Sequence, residues 1–335
     1  MAISIPLSAP VNEKSGATIC AAYIYPVSIV VALGGVLFGF DLVIISGTVP
    51  FFTQYFQLGE LGTGRAVGCI NKGAALGALI AGKLSAALGC KRLLLICAVL
   101  FAITGIITGW AGNFTIFIIA RLASGVAVGM AALVCPIYIA QIAPASVRGR
   151  LVTFYQLAIV TGLLLAYLSN YLLLNSGVNN WRWMFSSQTI PSLLFFGVLF
   201  FVSKSPRWLI KNNRSDEAKL ILLKIGGAAY AAAEAHSIKK SFWQEVKEKI
   251  SALFKPDVRT IILIGMAVAF FSQAEGQNSL FSYAPEIFKQ ANMSVDTAFV
   301  PSVLVVVVIF IFTFTAIAFI EKAGRKNYCC TDPFY

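Results

Sequence analysis

Charge is what this sequence has least of. Only 12% of its 335 residues are Asp, Glu, Lys or Arg, about half the share of a soluble domain. Acidic residues number 14, and histidine occurs once, as His236. With no metal cluster and no nucleophile motif, neither an enzyme nor a resident cofactor is expected. Seven cysteines are present, but none forms a Cys-x-x-Cys pair, so neither a zinc site nor a thioredoxin-like motif is indicated. The first 18 residues are polar and mixed, so no cleavable leader is expected.

Apolar length takes the place of charge. Hydrophobic residues make up 58% of the chain, in long unbroken runs. A membrane-spanning helix needs about 20 mostly apolar residues. Spanning strands would instead alternate over short segments. The runs predict an all-α integral membrane protein with eight spans, over residues 23–49, 62–88, 93–110, 114–139, 151–174, 183–202, 260–288 and 297–320. One long polar stretch, 204–259, separates the sixth span from the seventh.

The net charge of +12 would suit nucleic acid if it were spread over one soluble face. It is not. With the N-terminus inside, 21 of the 26 Lys and Arg residues fall on the inner side or in the polar stretch, the bias of cytoplasmic loops. The basic balance therefore reads as topology. A multi-pass protein of the plasma or bacterial inner membrane, with a cytoplasmic N-terminus and the bilayer as its partner, is expected. Nucleic acid is not.

The polar stretch is expected to be helical. Ser215 can cap a helix with Asp216 and Glu217 in its first turn and Gly226-Gly227 after its last. Ile238, Phe242, Val246, Ile250 and Leu253 mark the apolar face of a second, basic helix. Within the spans, Gly64/Gly68, Gly73/Gly77 and Gly125/Gly129 are small residues one turn apart, which let backbones approach.

Four charges stand out within predicted spans: Asp41, Lys72, Arg121 and Glu275. Charge at that depth is costly and marks candidate function. Asp41 has Arg121 as its natural partner, and two readings stay open: a structural pair, or an acid that takes and releases a proton. Lys72 snorkels, faces a cavity or is peculiar to this chain. Glu275 sits in SQAEGQN (272–278), where polar residues interrupt an apolar helix, a pattern of cavity linings.

The ordered motifs resemble the sugar porter family of the major facilitator superfamily. GGVLFGFDLVIISG (34–47) is similar to its first-span signature. GKLSAALGCKR (82–92) stands where the family has G-R/K-x-x-D-x-x-G-R-R/K. PIYIAQIAPASVRGR (136–150) resembles P-x-Y-x-x-E-x-x-P-x-x-x-R-G. WRWMF (181–185) and SKSPRWL (203–209) flank the sixth span, YAPEIF (283–288) ends the seventh, and EKAGRK (321–326) follows the eighth like D-x-x-G-R-R/K. The resemblance implies a major facilitator fold: a complete six-helix N-terminal half over 1–203, a helical linker over 204–259, the first two helices of a C-terminal half over 260–326, and a tail over 327–335. It implies transport of a monosaccharide, pentose or hexose, by alternating access, with protons as the coupling ion. Asp41 and Arg121 match the proton-coupling pair, and Gln156, Gln273 and Asn278 match sugar-binding amides. Gln141, Arg148, Arg150, Arg207, Glu321 and Arg325 match the cytoplasmic gate.

Departures from the pattern shape the expectation. Ala86 replaces the loop aspartate, Cys90 an arginine, Gln141 a glutamate, and Ser203-Lys204 a Pro-Glu pair. Lys204 is expected to add like charge beside Arg148 and Arg150 and loosen the inner gate. Leu163 and Ser272 stand in place of further glutamines. The absence of spans nine to twelve reads as truncation, and an inactive chain is one expected outcome. A facilitative uniporter, a non-transporting sugar sensor and a degenerate remnant are the alternatives. Which sugar is bound, and the oligomeric state, are not legible.

Overall fold

The computed structural model describes residues 20–144, 147–245, 256–290 and 295–323. Every element among them is helical: α1 (Ala21–Ala32), α2 (Gly34–Tyr55), α3 (Glu60–Leu88), α4 (Cys90–Gly109), α5 (Phe114–Ile142), α6 (Arg148–Leu173), α7 (Asn180–Ser187), α8 (Thr189–Leu199), α9 (Pro206–Lys211), α10 (Ser215–Glu245), α11 (Pro256–Ala274), α12 (Gln277–Gln290) and α13 (Val295–Ala323). Among the described residues, four helices are long and apolar enough to cross a membrane: Ala22–Tyr55, Cys90–Gly109, Phe114–Ile142 and Arg148–Leu173. The second expected span is the 29-residue α3, which carries Glu60, Arg65, Lys72 and Lys83 and is less apolar for it.

Three expected spans are each split in two, the first of them at Leu33, between α1 and α2. Gln188 separates α7 from α8. Pro191 follows three residues on and has no N–H to offer the Ser187 carbonyl, which weakens the helix there. The seventh span breaks between α11 and α12 at Glu275-Gly276, with Gly276 at φ +73°. That left-handed turn is open to glycine at little cost, and it lies within the predicted polar interruption.

The chain divides into two compact units. One joins the described residues of Tyr25–Ser203 with those from Phe281 onward. Its core gathers Phe40, Val43, Ile44, Phe52, Phe117, Tyr167, Trp181 and Phe185, with Phe281 and Val306. Arg182 stacks over Trp181 and Tyr55, 4.4 and 4.8 Å from their ring centroids, and donates to the Gly109 carbonyl at 3.0 Å.

Glycines set the spacing of this unit. A Cβ at Gly73 or Gly77 of α3 would fall on the Leu122 or Val126 carbonyl of α5; one at Gly125 or Gly129 of α5 would fall on the Ile70 or Ala74 carbonyl of α3. The two pairs interlock, as their spacing predicts. Gly64 and Gly68 do not join them, since a Cβ at either meets nothing within 4 Å. The reason is phase. Gly64 precedes Gly73 by nine residues, roughly two and a half turns, so it lies on the opposite side of α3. Gly77→Leu is accordingly expected to cost about 1–3 kcal/mol by overpacking, read as a lower apparent Tm in detergent. Gly64→Leu should stay within about 0.5 kcal/mol. Equal melting of the two variants would contradict the interlock.

The second unit comprises the described residues of Lys204–Leu280 together with residues 20–24. The Ser205 hydroxyl caps α9 by accepting from the Trp208 N–H at 3.4 Å. α10 starts at the predicted Ser215 and kinks at Gly226 and Gly227, the latter at φ +78°. Beyond that break a second helix runs to Glu245, with Ile238 buried. Val246, Ile250 and Leu253 lie outside the described residues.

Candidate functional site

Within the unit that holds Tyr25–Ser203 lies a buried ion pair. On α2, Gly35 and Gly39 are so close to α6 that a Cβ on either would strike the Tyr155 or Ile159 carbonyl, and Gly162 of α6 returns the contact at Val36. Asp41 lies two residues past Gly39, roughly 200° around the helix. One side of α2 thus closes on α6 while the carboxyl points the other way, to α5. Arg121 sits four residues before Gly125, in the helix that the α3 interlock holds in register.

There the Arg121 Nη1 donates to Asp41 Oδ1 at 2.5 Å. Asp41 is 0% exposed and Arg121 1%, so the sequence-predicted partners meet in full burial. Two further contacts were not foreseen. The Ser124 hydroxyl donates to Asp41 Oδ2 at 3.4 Å, and the Arg121 guanidinium lies 5.5 Å from the Phe185 ring centroid. Ser124 is one turn after Arg121, a spacing visible in the sequence. Phe185 closes the WRWMF motif, which flagged its place in the chain but not its contact. Arg121 Nε and Nη2 have no hydrogen-bond partner among the described residues, so the guanidinium keeps donors beyond those Asp41 uses.

The three expected sugar amides fall as follows. Gln156 is exposed on α6. Gln273 and Asn278 come together across the Glu275-Gly276 break: the Asn278 Nδ2 donates to Gln273 Oε1 at 3.0 Å. Each amide offers both a donor and an acceptor, as sugar hydroxyls require. Glu275 is exposed in the same break, and Leu163 is buried. Lys72 is exposed on α3, in an open groove of about 460 Å³ lined also by Glu60, Leu61, Gly64, Arg65 and Gly68.

The positions expected to form the cytoplasmic gate fall as follows. The Cys90 thiol is 3.9 Å from Gln141 Oε1, so two substituted motif positions meet as a neutral pair. The Arg148 Nε donates to the Ala143 carbonyl at 3.3 Å, and the Arg150 guanidinium lies 5.8 Å from the Tyr25 ring centroid. Arg207 is half-buried on α9. Glu321 falls in the last turn of α13, and Arg325 lies outside the described residues. One expectation is corrected. Lys204 is not without an acidic neighbour, because its Nζ lies 3.8 Å from Glu217 Oε2, while Glu217 Oε1 pairs with Arg214. Ser215 starts α10 at a place that brings Glu217 back toward Lys204, a reach the linear motif does not reveal. Among the described residues no group of three or more His, Cys, Asp or Glu is arranged to hold a metal ion.

Comparison with known proteins bears on this arrangement. The family model described as Sugar (and other) transporter matches residues 27–331. The arabinose-proton symporter of Bacillus subtilis is 36% identical over 310 residues, covering 91% of this chain and 67% of that protein. The D-xylose-proton symporter of Escherichia coli is 36% identical over 338 residues, covering 91% and 68%. Thus the chain spans about two thirds of the length of these relatives. Among solved structures, the proton:xylose symporter XylE bound to 6-bromo-6-deoxy-D-glucose superimposes with a TM-score of 0.84 at 35% identity, over 92% of this chain and 71% of that one. The partially occluded inward open form of XylE from E. coli gives 0.80 at 35% identity, over 91% and 74%.

Proposed function

Because the chain belongs to the family of sugar (and other) transporters, a family of multi-pass membrane transporters rather than enzymes, we propose that it carries a monosaccharide, a pentose or hexose, together with a proton. The observation that carries this reading is the fully buried Asp41–Arg121 pair. An arginine stays charged at any working pH. The carboxyl beside it is the one member of the pair that can change charge, and so the one that can carry a proton. When Asp41 is protonated the attraction to Arg121 falls, and the unpartnered guanidinium nitrogens can turn to another acceptor. A proton taken from one side and released to the other would thereby be tied to a rearrangement of α2 against α5.

Gln156, Gln273 and Asn278 would bind the sugar by donor–acceptor pairs to adjacent hydroxyls. The N-terminus would face the cytoplasm, with residues 1–203 as one bundle, 204–259 as a cytoplasmic linker and 260–326 as the start of a second bundle. Gln141, Arg148, Arg150, Arg207, Glu321 and Arg325 would form the inner gate. With Cys90 and Gln141 neutral, that gate would depend less on charge than the motif it resembles.

The experiment is uptake of labelled xylose, arabinose and glucose into proteoliposomes holding the purified chain, with an inward proton gradient. Accumulation above the external concentration that a protonophore abolishes is expected for at least one sugar. Equilibration without accumulation would make the chain a facilitator. No protein-dependent flux of any of the three would refute sugar transport by this chain.

A further inference from the structure

The start of α12 carries a backbone defect written in the sequence. In an α-helix the carbonyl of each residue accepts from the N–H four residues on. For Phe281 that residue is Pro285, which has no N–H to give. Phe281 is 8% exposed, so its carbonyl needs a donor from within the protein. The Tyr167 hydroxyl supplies one: it donates to the Phe281 carbonyl at 2.9 Å, from a side chain with 0% exposure. The next residue makes a second reach, as the Ser282 hydroxyl donates to the Leu42 carbonyl at 3.4 Å. Leu42 follows Asp41. Phe281 and Ser282 therefore touch both α6 and the turn of α2 that bears the carboxylate.

We propose that Tyr167 is a positioning residue of the transport cycle, whose hydroxyl fills the carbonyl left open by Pro285 and so seats the outer part of the seventh span against α6 and α2. The proline makes the carbonyl available, and the tyrosine makes the helix position specific. A helix with an intact internal ladder would have no such demand and could slide along its neighbours. Seated in this way, the part of α12 that holds Phe281 and Ser282 follows movements of the helix that holds Asp41. That consequence rests on the transport reading above; the seating itself does not.

The test compares Tyr167→Phe, Pro285→Ala and the double variant in the full chain. Alanine at 285 restores the internal N–H, so it should relieve the need for the tyrosine hydroxyl. Hydrogen–deuterium exchange of the α12 amides, in detergent and without sugar, is the transport-independent readout. Tyr167→Phe is expected to speed exchange about three- to tenfold, the range for losing one buried hydrogen bond. In the Pro285→Ala background the same change should speed it less than twofold. Proton-driven uptake should follow the same pattern: impaired in Tyr167→Phe and recovered in the double variant. Unchanged exchange in Tyr167→Phe, or an equal increase in both backgrounds, would overturn the seating role. An exchange pattern as expected, with uptake insensitive to Tyr167 in a transporting chain, would overturn its part in the cycle. If no variant and no wild type transports, exchange alone decides the seating, and the failure belongs to the sugar-transport reading.

Discussion

Asp41→Asn is expected to abolish accumulation of sugar while leaving sugar exchange running. With one proton carried per sugar, each unit of pH gradient supplies about 1.4 kcal/mol, enough for at most about a tenfold concentration ratio. Asparagine holds the volume and the hydrogen-bonding shape of the side chain but cannot take up or release a proton. The variant should therefore bring the internal and external sugar to a ratio of about one at any gradient. Counterflow, in which labelled sugar outside exchanges for unlabelled sugar inside, requires no net proton movement and should persist. Parallel measurements of accumulation and counterflow in one preparation separate loss of coupling from loss of fold. Wild-type accumulation by Asp41→Asn would end the claim that this carboxyl couples the two fluxes.

Much of the arrangement behind that prediction was legible from residues alone. A carboxylate and a guanidinium, each alone among apolar residues, need a partner of opposite charge, so Asp41 and Arg121 could be paired before any coordinate was known. They do meet. Gly73/Gly77 and Gly125/Gly129 were legible for a similar reason: a glycine inside an apolar helix weakens it unless a neighbouring backbone uses the space. The same rule overreached at Gly64 and Gly68, because a one-turn spacing says that two residues share a face but not which face is covered. The Gly226-Gly227 stop was readable because it is local chemistry, a chain feature that needs no distant partner.

The misses involve contacts between segments far apart in the chain. Ser124 was one turn from a flagged arginine, yet its role depends on where α2 presents Asp41. The pairing of Tyr167 with Phe281 spans 114 residues. The proline that creates the demand could be read from the sequence; the donor that meets it could not. Lys204 was misjudged in the same way, since the motif gave its sign but not the return of Glu217 to its side. Motif order identified which elements are present. The side chains that bridge them had to be seen in space.

The largest effect on stability is expected from breaking the buried pair on one side only. Asp41→Asn leaves Arg121 charged at 1% exposure with the Phe185 ring beside it, and a stranded buried charge costs about 3–5 kcal/mol. Arg121→Met should cost less, because Asp41 can become neutral by taking up a proton, which the guanidinium cannot escape by losing one. In Asp41→Asn/Arg121→Met both members are neutral, and such replacements of buried pairs are often neutral or stabilising by about 1–4 kcal/mol. Thermal unfolding in detergent should thus rank Asp41→Asn lowest, with the double variant at or above the wild type. Equal stability of Asp41→Asn and the wild type would mean that Arg121 finds water or another acceptor, contrary to its burial. The same four proteins also distinguish a structural pair from a coupling one. A pair kept only for packing would be fully replaced in the double variant, transport included. A pair that carries the proton would regain its fold there and still fail to accumulate sugar.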